Sequence, residues 1–595
     1  ANLPEPTIAD GSQYFDVSTF SNSSQTSGSF VTSITPDLII TKRRNANSNW
    51  ILQDIVRGYG DNKNLHPNLD LAQTSTNNIT GVSGKTVSYG SNDNMYDSQV
   101  AYYWNAGANS NRTYTVTVVN SGGSNKYRFD GNGDNAVTLD LAEGSTYTFD
   151  QSHSSNATHP LRFGTSANGT NYTTGVTHTG TPGSAGAKTT LVLGSGVSTL
   201  YYSCQNHSSM GGQINTNSTG GSTVLRGSSN SSVYDQSQTW SSGWDNNLNS
   251  SYPGTWSFDG DISTGAVVNL NATATWTVPN SGYAISSSLR VYGRLEHSDG
   301  DFTITFSDSS TSTIPVNASK QWHTISGAAG KTITSIAVKK AGNGNEGIFH
   351  AVEIDGKILL DNGVTPVDNF PSISSVVRAS PESGFSIVKY SLTGSSSQTI
   401  PHGLNNKLGM LITKATGSTN DWAIWHSSLP DTHGMKFDVN NSGAHAVTWW
   451  DQSKMTSSVF NHKAGTTSPQ GGDVIAFCFS PVSGYSAMGS FEGNQDADGP
   501  VIQTGFRPKF LMLRNIDNYT ELYSWWVFDA ARDPDNVVKQ TLAMNQNGNE
   551  SSQGWIDFLS NGFKIRASSG AVNLNVHTYV YIAFSSHPFK TARAV

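Results

Sequence analysis

The sequence predicts an all-β chain made of serial β-sandwich modules. Its 595 residues exceed the usual size of one domain, and only 13% of them are charged. Short apolar and aromatic runs alternate with polar residues and are separated by turns rich in Gly, Asn and Ser. This pattern is typical of many short strands. An aromatic content of 10% argues against disorder, and no long helical period interrupts the pattern.

One hairpin pattern recurs three times. In each copy an apolar strand ends in a basic residue, and a polar turn leads to a strand that carries Trp. The pairs are Lys42 and Trp50, Lys414 and Trp422, and Arg514 and Trp525. Each copy also closes with a run that is apolar on both faces, at 98–104, 472–479 and 578–584. We therefore expect three copies of one jelly-roll or lectin-like sandwich, at 12–111, 386–486 and 487–595.

Between the first two copies lie residues with metal-ligand chemistry. Cys204, His207 and Met210 form a Cys-x-x-His-x-x-Met motif at the end of an apolar strand, and His159 lies 45 residues earlier. A thiolate, two imidazoles and a thioether are the ligand set of a blue-copper site. The sequence predicts a copper or similar soft-metal site at these four residues. The alternative is an empty site with Cys204 as a small core residue.

The segment 112–216 that carries these residues resembles the cupredoxins. Its strand pattern fits a Greek-key sandwich, and the two-residue gaps between ligands resemble the amicyanin loop. The resemblance implies copper at His159, Cys204, His207 and Met210. It leaves open whether this copper would serve electron transfer.

The repeated modules resemble a domain of marine, cyanobacterial phage structural proteins. The phrases at 374–388 and 498–508 carry the likeness, and the same proteins commonly contain a cupredoxin-like insert. The resemblance implies an extracellular virion protein, such as a tail fibre or other exposed appendage. Its implied partners are other virion proteins and a host surface glycan or protein. Two alternatives stay open: a redox copper protein and a polysaccharide depolymerase.

Residues 217–366 form a further predicted β-sandwich. Its strand order resembles discoidin-like and carbohydrate-binding modules, and it is rich in tryptophan near its start. Trp240, Trp244 and Trp256 are the candidates for stacking on a sugar, and the alternative is that they fill the core. An N-terminal arm at 1–11, a linker at 367–385 and a C-terminal tail complete the predicted organisation.

The remaining composition limits the function classes. A net charge of −8 does not favour nucleic-acid binding, and no apolar run reaches the length of a membrane span. Cys204 and Cys478 lie in different modules, so no disulfide framework is expected. No catalytic motif is recognised, and we expect no enzyme. Asp259 and Asp261 could offer oxygen ligands to Ca²⁺, but such Asp-Gly pairs are first of all turn residues.

Two expectations concern surfaces. The basic run Lys42-Arg43-Arg44 reads as a solvated strand end. Sandwich edge strands can recruit other chains, and the surface has few charges to keep copies apart. The sequence therefore predicts a homo-oligomer or firm docking onto a larger particle.

Overall fold

The chain is an all-β protein made of serial sandwiches. The computed structural model describes residues 8–585 except 9, 108–110, 131–133, 226–233, 261–263, 287, 296–300, 315–320, 341–346, 356, 363, 365–370, 393–396, 431–432, 439–443, 451–454, 464–471 and 518–523. Most of the predicted N-terminal arm and the C-terminal tail from 586 lie outside the described residues. No helix within the described residues is long and apolar enough to cross a bilayer.

The first module contains seven strands: β1 (Phe15–Asn22), β2 (Gly28–Val31), β3 (Leu38–Arg43), β4 (Ile51–Asp54), β5 (Ile79–Ser83), β6 (Thr86–Tyr89) and β7 (Asp97–Trp104). They form one sheet in the order β1-β7-β3-β4 and a second in the order β2-β6-β5. Ile8, expected in an extended arm, is instead buried in the core with 1% of its surface exposed.

The second unit contains ten strands: β8 (Arg112–Ser121), β9 (Ser124–Phe129), β10 (Leu139–Ala142), β11 (Thr146–Asp150), β12 (Leu161–Gly164), β13 (Asn171–Tyr172), β14 (Val176–Thr179), β15 (Lys188–Val192), β16 (Leu200–Cys204) and β17 (Gly212–Asn217). Their two sheets have the orders β10-β17-β16-β12-β13 and β14-β15-β11-β8-β9. The pairs β10–β17 and β8–β11 are parallel, and the other pairs are antiparallel. An aromatic core separates the two sheets.

A connecting strand, β18 (Ser222–Val224), leads to the third unit. That unit contains β19 (Tyr234–Asp235), β20 (Ala266–Val267), β21 (Thr273–Thr277), β22 (Tyr283–Ala284), β23 (Leu289–Leu295), β24 (Asp301–Phe306), β25 (Thr311–Ile314), β26 (Gln321–Thr324), β27 (Thr332–Lys339), β28 (Gly347–Ile354) and β29 (Lys357–Leu359). The sheets β19-β29-β28-β23-β26 and β21-β27-β24-β25 enclose a core of their own.

The fourth unit contains β30 (Ser375–Ser380), β31 (Phe385–Leu392), β32 (Ser397–Pro401), β33 (Met410–Ala415), β34 (Ala423–His426), β35 (His433–Lys436), β36 (His445–Ala446), β37 (Val459–Lys463) and β38 (Gly472–Phe479). Its main sheet has the order β18-β30-β31-β38-β33-β34-β35-β36. β30 and the start of β31 therefore fall in the predicted linker 367–385. This corrects the linker assignment, because the alternating residues of β30 pair with β31.

The fifth unit contains β39 (Ser486–Glu492), β40 (Val501–Gln503), β41 (Phe510–Asn515), β42 (Trp526–Asp529), β43 (Val538–Ala543), β44 (Ser551–Leu559), β45 (Gly562–Ile565) and β46 (Thr578–Phe584). It also has a short helix, α1 (Gly570–Asn573). Single 3₁₀ turns occur at Gly11–Gln13, Asp93–Met95, Ser154–Asn156, Trp240–Gly243, Gly254–Ser257 and Pro279–Ser281.

The three repeated modules share one strand order. β1-β7-β3-β4, β31-β38-β33-β34 and β39-β46-β41-β42 are the same four-stranded antiparallel arrangement. Trp50, Trp422 and Trp525 each directly precede the fourth strand, and each is completely buried. The equivalent positions expected from the sequence repeats are therefore confirmed for these tryptophans.

These modules pack around one shared apolar core. The closing strands contribute Trp104, Phe479 and Phe584, whose rings lie 5.8–6.2 Å apart. Among the described residues, the core contains side chains from all three modules and none from the second or third unit. The modules thus form a closed ring, which we call the three-module ring.

Each tryptophan of the hairpin pattern faces the next module. The Trp50 indole donates from Nε1 to two carbonyls of the third copy, at 2.9 and 3.1 Å. Trp422 donates in the same way to the carbonyls of His66 and Leu69 in the first copy, both at 3.0 Å. The Trp525 indole N–H is buried and has no acceptor among the described residues. Among the described residues, indole hydrogen bonds therefore join the modules at two of the three interfaces between them.

The basic residues of the pattern make the second set of contacts. Lys42 donates to its own module and to the Asn547 carbonyl at 3.4 Å, and Lys414 donates to the Asp70 carbonyl at 3.2 Å. Arg514 donates to the Lys436 carbonyl at 2.9 Å. Lys42 is fully buried, so the expectation of a solvated strand end is wrong for it. The Lys42 side chain instead lies at an interface between modules.

Candidate metal centre

The two loops that carry the predicted ligands are brought together by β12 and β16. These strands are antiparallel neighbours, and Leu161 pairs directly with Cys204. His159 lies two residues before this pair, and His207 lies on the loop that follows Cys204. The Gln205 N–H donates to the Pro160 carbonyl at 2.9 Å, which fastens the loops beyond the sheet. Strand pairing therefore sets both ligand loops at the same end of the sandwich.

Three predicted ligand residues converge at this end. The Cys204 Sγ atom lies 3.8 Å from Nδ1 of His159 and 3.5 Å from Nδ1 of His207. All three donor atoms lie within 4.8 Å of one another. A metal with bonds of about 2.3 Å to sulfur and 2.0–2.1 Å to nitrogen, at angles of about 110–120°, separates these atoms by roughly 3.5–3.8 Å. The two observed sulfur-to-nitrogen distances fall in this range and suit a metal bound to Cys204 and an imidazole.

A thiol hydrogen bond explains only part of this arrangement. The Cys204 thiol has one hydrogen, so it can donate to one imidazole at a time. Both imidazoles nevertheless present the same ring nitrogen, Nδ1, to the sulfur. Their rings lie 4.6 Å apart. Two nitrogen donors directed at one soft sulfur are a ligand set for a soft metal such as copper.

Met210 belongs to the same neighbourhood. Its side chain is 1% exposed and lies in the core cluster that contains Cys204. Its carbonyl accepts a hydrogen bond from the Tyr127 N–H at 3.0 Å. The preceding residue, Ser209, has a φ of 61°, a left-handed conformation that turns the chain back into the core. Met210 is thus buried beside Tyr127, and its role as a weak ligand stays a prediction.

Burial distinguishes the two imidazoles. His159 is 8% exposed, whereas His207 is exposed. Burial, and after it the neighbouring His207, lowers the pKa of His159 below its ordinary value. At neutral pH its ring is therefore neutral, which is the form that binds a metal.

The outer nitrogen of the His159 ring also has a partner. The Asn125 side-chain amide lies 3.5 Å from Nε2. If Nδ1 binds a metal, Nε2 carries the proton and needs an acceptor. The amide can supply one by presenting Oδ1, because the two amide orientations are nearly equivalent in shape.

Residues that the sequence did not point to hold the His159 loop. The His159 carbonyl accepts hydrogen bonds from the Tyr127 hydroxyl at 2.8 Å and from the Gln151 amide at 2.9 Å. The Asn206 amide donates to the Thr158 carbonyl at 2.9 Å, which joins the two ligand loops. Burial, and then the Cys204 thiol, raises the pKa of Tyr127 well above its ordinary value, so its phenol keeps its proton.

The three predicted sugar-stacking residues differ in their burial. Trp240 is 1% exposed and lies in the core of the third unit, so it is wrong as a stacking residue. Trp244 and Trp256 are half-buried, and Trp244 packs edge-on against Phe349 at 5.2 Å. Among the described residues of this region the exposed aromatic is Tyr252, whose ring contacts that of Trp256 at 5.5 Å and 90°.

The other predicted sites gain no new support. The Asp259 carboxylate accepts a hydrogen bond from Thr264 at 2.8 Å, and Asp261 lies outside the described residues. Cys478 is buried in the fourth unit, where burial raises its pKa far above the ordinary value. Cys204 and Cys478 are both free.

Comparison with known proteins gives limited information. No curated protein matches the chain. Two solved structures are at 11% identity and cover 54% of this chain. One concerns the triple jelly-roll fold and turret assembly of an archaeal virus, with 83% of that chain covered and a TM-score of 0.09. The other is from Sulfolobus turreted icosahedral virus, with 84% covered and a TM-score of 0.07. Similarities this low carry no argument about the fold.

One family model matches a part of the chain. Residues 360–588 match the family described as "Domain of unknown function (DUF7483)". The matched segment covers the second and third copies of the repeated module and leaves out the metal centre. The chain is therefore similar to this family over less than half of its length.

Proposed function

We propose that the chain is a structural protein of a virus particle whose second unit binds one copper ion. The copper part depends on one observation: Nδ1 of His159 and Nδ1 of His207 both lie within 3.8 Å of the Cys204 sulfur. His159, Cys204 and His207 would hold the ion, with Met210 as a weak fourth ligand. When bound, copper supplies a one-electron redox couple.

The chain's own residues limit access to this ion. Cys204 and Met210 are buried, so the sulfur ligands are shielded from water and from other thiols. His207, the exposed residue of the three, gives solvent access to the predicted site. The exposed residues around it are uncharged: Gln205, Asn206, Ser208 and Ser209. The loop itself therefore offers no charge to steer a protein redox partner, and the nearby Lys126 ammonium donates to its Ser209 carbonyl.

Copper titration of the full chain tests the site. We expect one Cu(II) per chain and an intense visible thiolate-to-copper charge-transfer band. Cys204→Ser should abolish the band, and Cys478→Ala should keep it, because that second buried cysteine has no imidazole partner among its described contacts. A band that survives in Cys204→Ser would refute the assignment. Failure of the wild-type chain to bind copper would do so as well.

The virion role rests on the resemblance of the repeated modules to phage structural proteins and agrees with the architecture. Three modules closed around one core make a rigid body suited to assembly or display. Labelling the chain on purified particles, with host lysate as the control, tests this role. Absence from purified particles would contradict it.

Attachment to a host glycan is the finer part of the same proposal. The supporting feature is the exposed Tyr252 beside the half-buried Trp256, since aromatic faces bind sugar rings. Binding of the full chain to a glycan array should weaken in Trp256→Ala and persist in Trp240→Phe. Release of reducing ends from host polysaccharide would favour a depolymerase instead. Sedimentation of the purified chain tests the proposed homo-oligomer.

A further inference from the structure

Strand β9 supplies no ligand, yet three consecutive residues of this strand contact the ligand loops. The Asn125 amide lies beside the outer ring nitrogen of His159. The Lys126 ammonium donates to the carbonyl of Ser209, which directly precedes Met210. Tyr127 bonds both loops, through its hydroxyl and through its backbone N–H. The strand therefore contacts both loops that carry the predicted ligands.

Tyr127 has the central place among these contacts. Its hydroxyl donates to the His159 carbonyl at 2.8 Å, and its N–H donates to the Met210 carbonyl at 3.0 Å. The side chain is completely buried, and the Cys204 thiol is among its neighbours. One residue thus connects three of the four predicted ligand residues. Its ring also packs on Tyr202 in the core, at 6.4 Å between ring centres, which fixes the position of its hydroxyl.

We propose that Tyr127 is a positioning residue of the metal centre, which sets the His159 loop against Cys204 before metal binds. This inference rests on the proposed copper site and names a determinant of its geometry. The hydroxyl and Gln151 hold the His159 carbonyl from two directions. A carbonyl with two donors leaves the loop little freedom to rotate the imidazole away from the sulfur. Removal of one donor should let the ring sample orientations in which Nδ1 no longer faces Cys204.

The structure provides a matched control in the same unit. Tyr114 is also a buried tyrosine, and its hydroxyl donates to the Thr223 carbonyl at 2.9 Å. That bond lies at the connecting strand β18, with no ligand residue in contact. Tyr127→Phe and Tyr114→Phe each remove one hydroxyl and one hydrogen bond to a carbonyl, and Tyr127→Phe also removes the hydroxyl that neighbours the Cys204 thiol. Their effects on stability should be similar, whereas their effects on metal should differ.

The experiment compares wild-type, Tyr127→Phe and Tyr114→Phe full chains, with Cu(II) as the probe. We expect copper affinity in Tyr127→Phe to fall about 10- to 100-fold, the usual effect of losing a partner that orients a ligand. The position and intensity of the charge-transfer band should change as well, because they depend on the Cys204–copper geometry. Tyr114→Phe should keep the wild-type affinity and spectrum. Tyr127→Phe with wild-type affinity and spectrum would overturn the inference.

A metal-free measurement separates this inference from the copper proposal. In the metal-free chain, ¹⁵N resonances of the His159 ring report how it is held. We expect them to change in Tyr127→Phe but not in Tyr114→Phe, because only the first variant frees the His159 loop. If the wild-type chain binds no copper, the copper proposal fails, and these resonances still decide whether Tyr127 positions the ring. Unchanged resonances in Tyr127→Phe would overturn the inference.

Discussion

Replacing the tryptophans of the three-module ring by phenylalanine should have unequal effects. Trp50 and Trp422 each donate one indole N–H to two carbonyls of a neighbouring module, at 2.9–3.1 Å. Trp525 is equally buried, but its N–H has no acceptor among the described residues. The substitution removes a similar ring volume at each site. The difference between variants therefore isolates the hydrogen bonds between modules.

The expected difference in the free energy of unfolding follows from the cost of leaving buried carbonyls without a hydrogen-bond donor. A net hydrogen bond contributes about 1 kcal/mol, and a buried carbonyl left without a donor costs about 1–3 kcal/mol. Trp422→Phe should thus lower the free energy of unfolding by about 1–3 kcal/mol more than Trp525→Phe does. Trp50→Phe should resemble Trp422→Phe. Urea unfolding of the full chain, followed by far-UV circular dichroism and by the fluorescence of the remaining tryptophans, measures these differences. Equal losses in Trp422→Phe and Trp525→Phe would refute the account of the interfaces.

Further predictions concern charge. Burial lowers the pKa of His402 and His426 to about 4, below the ordinary 6.5. The unfolded chain therefore takes up protons first as pH falls from about 6.5 to 4, and the free energy of unfolding should drop over this range. Equal stability at pH 7 and pH 5 would contradict this. Arg378→Met should cost about 3–5 kcal/mol because it leaves Asp37 buried without its ion pair. Arg43→Met, at a more exposed pair, should cost less than about 1 kcal/mol, and similar losses would show that burial does not decide the effect.

The approach of His207 to Cys204 could be predicted because its signal is local. Strand β16 ends at Cys204, and a short loop after a strand end brings residues three apart to the same side. The distant ligand, His159, follows from the pairing of β12 with β16. Tyr127 could not be found in this way. It lies on a strand of alternating apolar residues, where a tyrosine resembles any other core residue.

The three-module ring could also be predicted only in part from the sequence. The repeats predicted equivalent positions for Trp50, Trp422 and Trp525, because each follows a basic strand end and a turn. The closure of the ring was not predictable, since the acceptors of the indoles are backbone carbonyls that every sequence offers. The sequence leaves open whether Trp240 stacks on a sugar or fills the core, because composition alone does not tell on which face of a sandwich a tryptophan lies.

X-ray absorption at the copper edge, on the full chain loaded with one equivalent of copper, tests the central claim most directly. The account predicts one sulfur neighbour at about 2.3 Å and two nitrogen neighbours at about 2.0–2.1 Å. In Cys204→Ser the sulfur contribution at that distance should disappear. A spectrum with only nitrogen and oxygen neighbours in the wild-type chain would contradict a copper site at His159, Cys204 and His207.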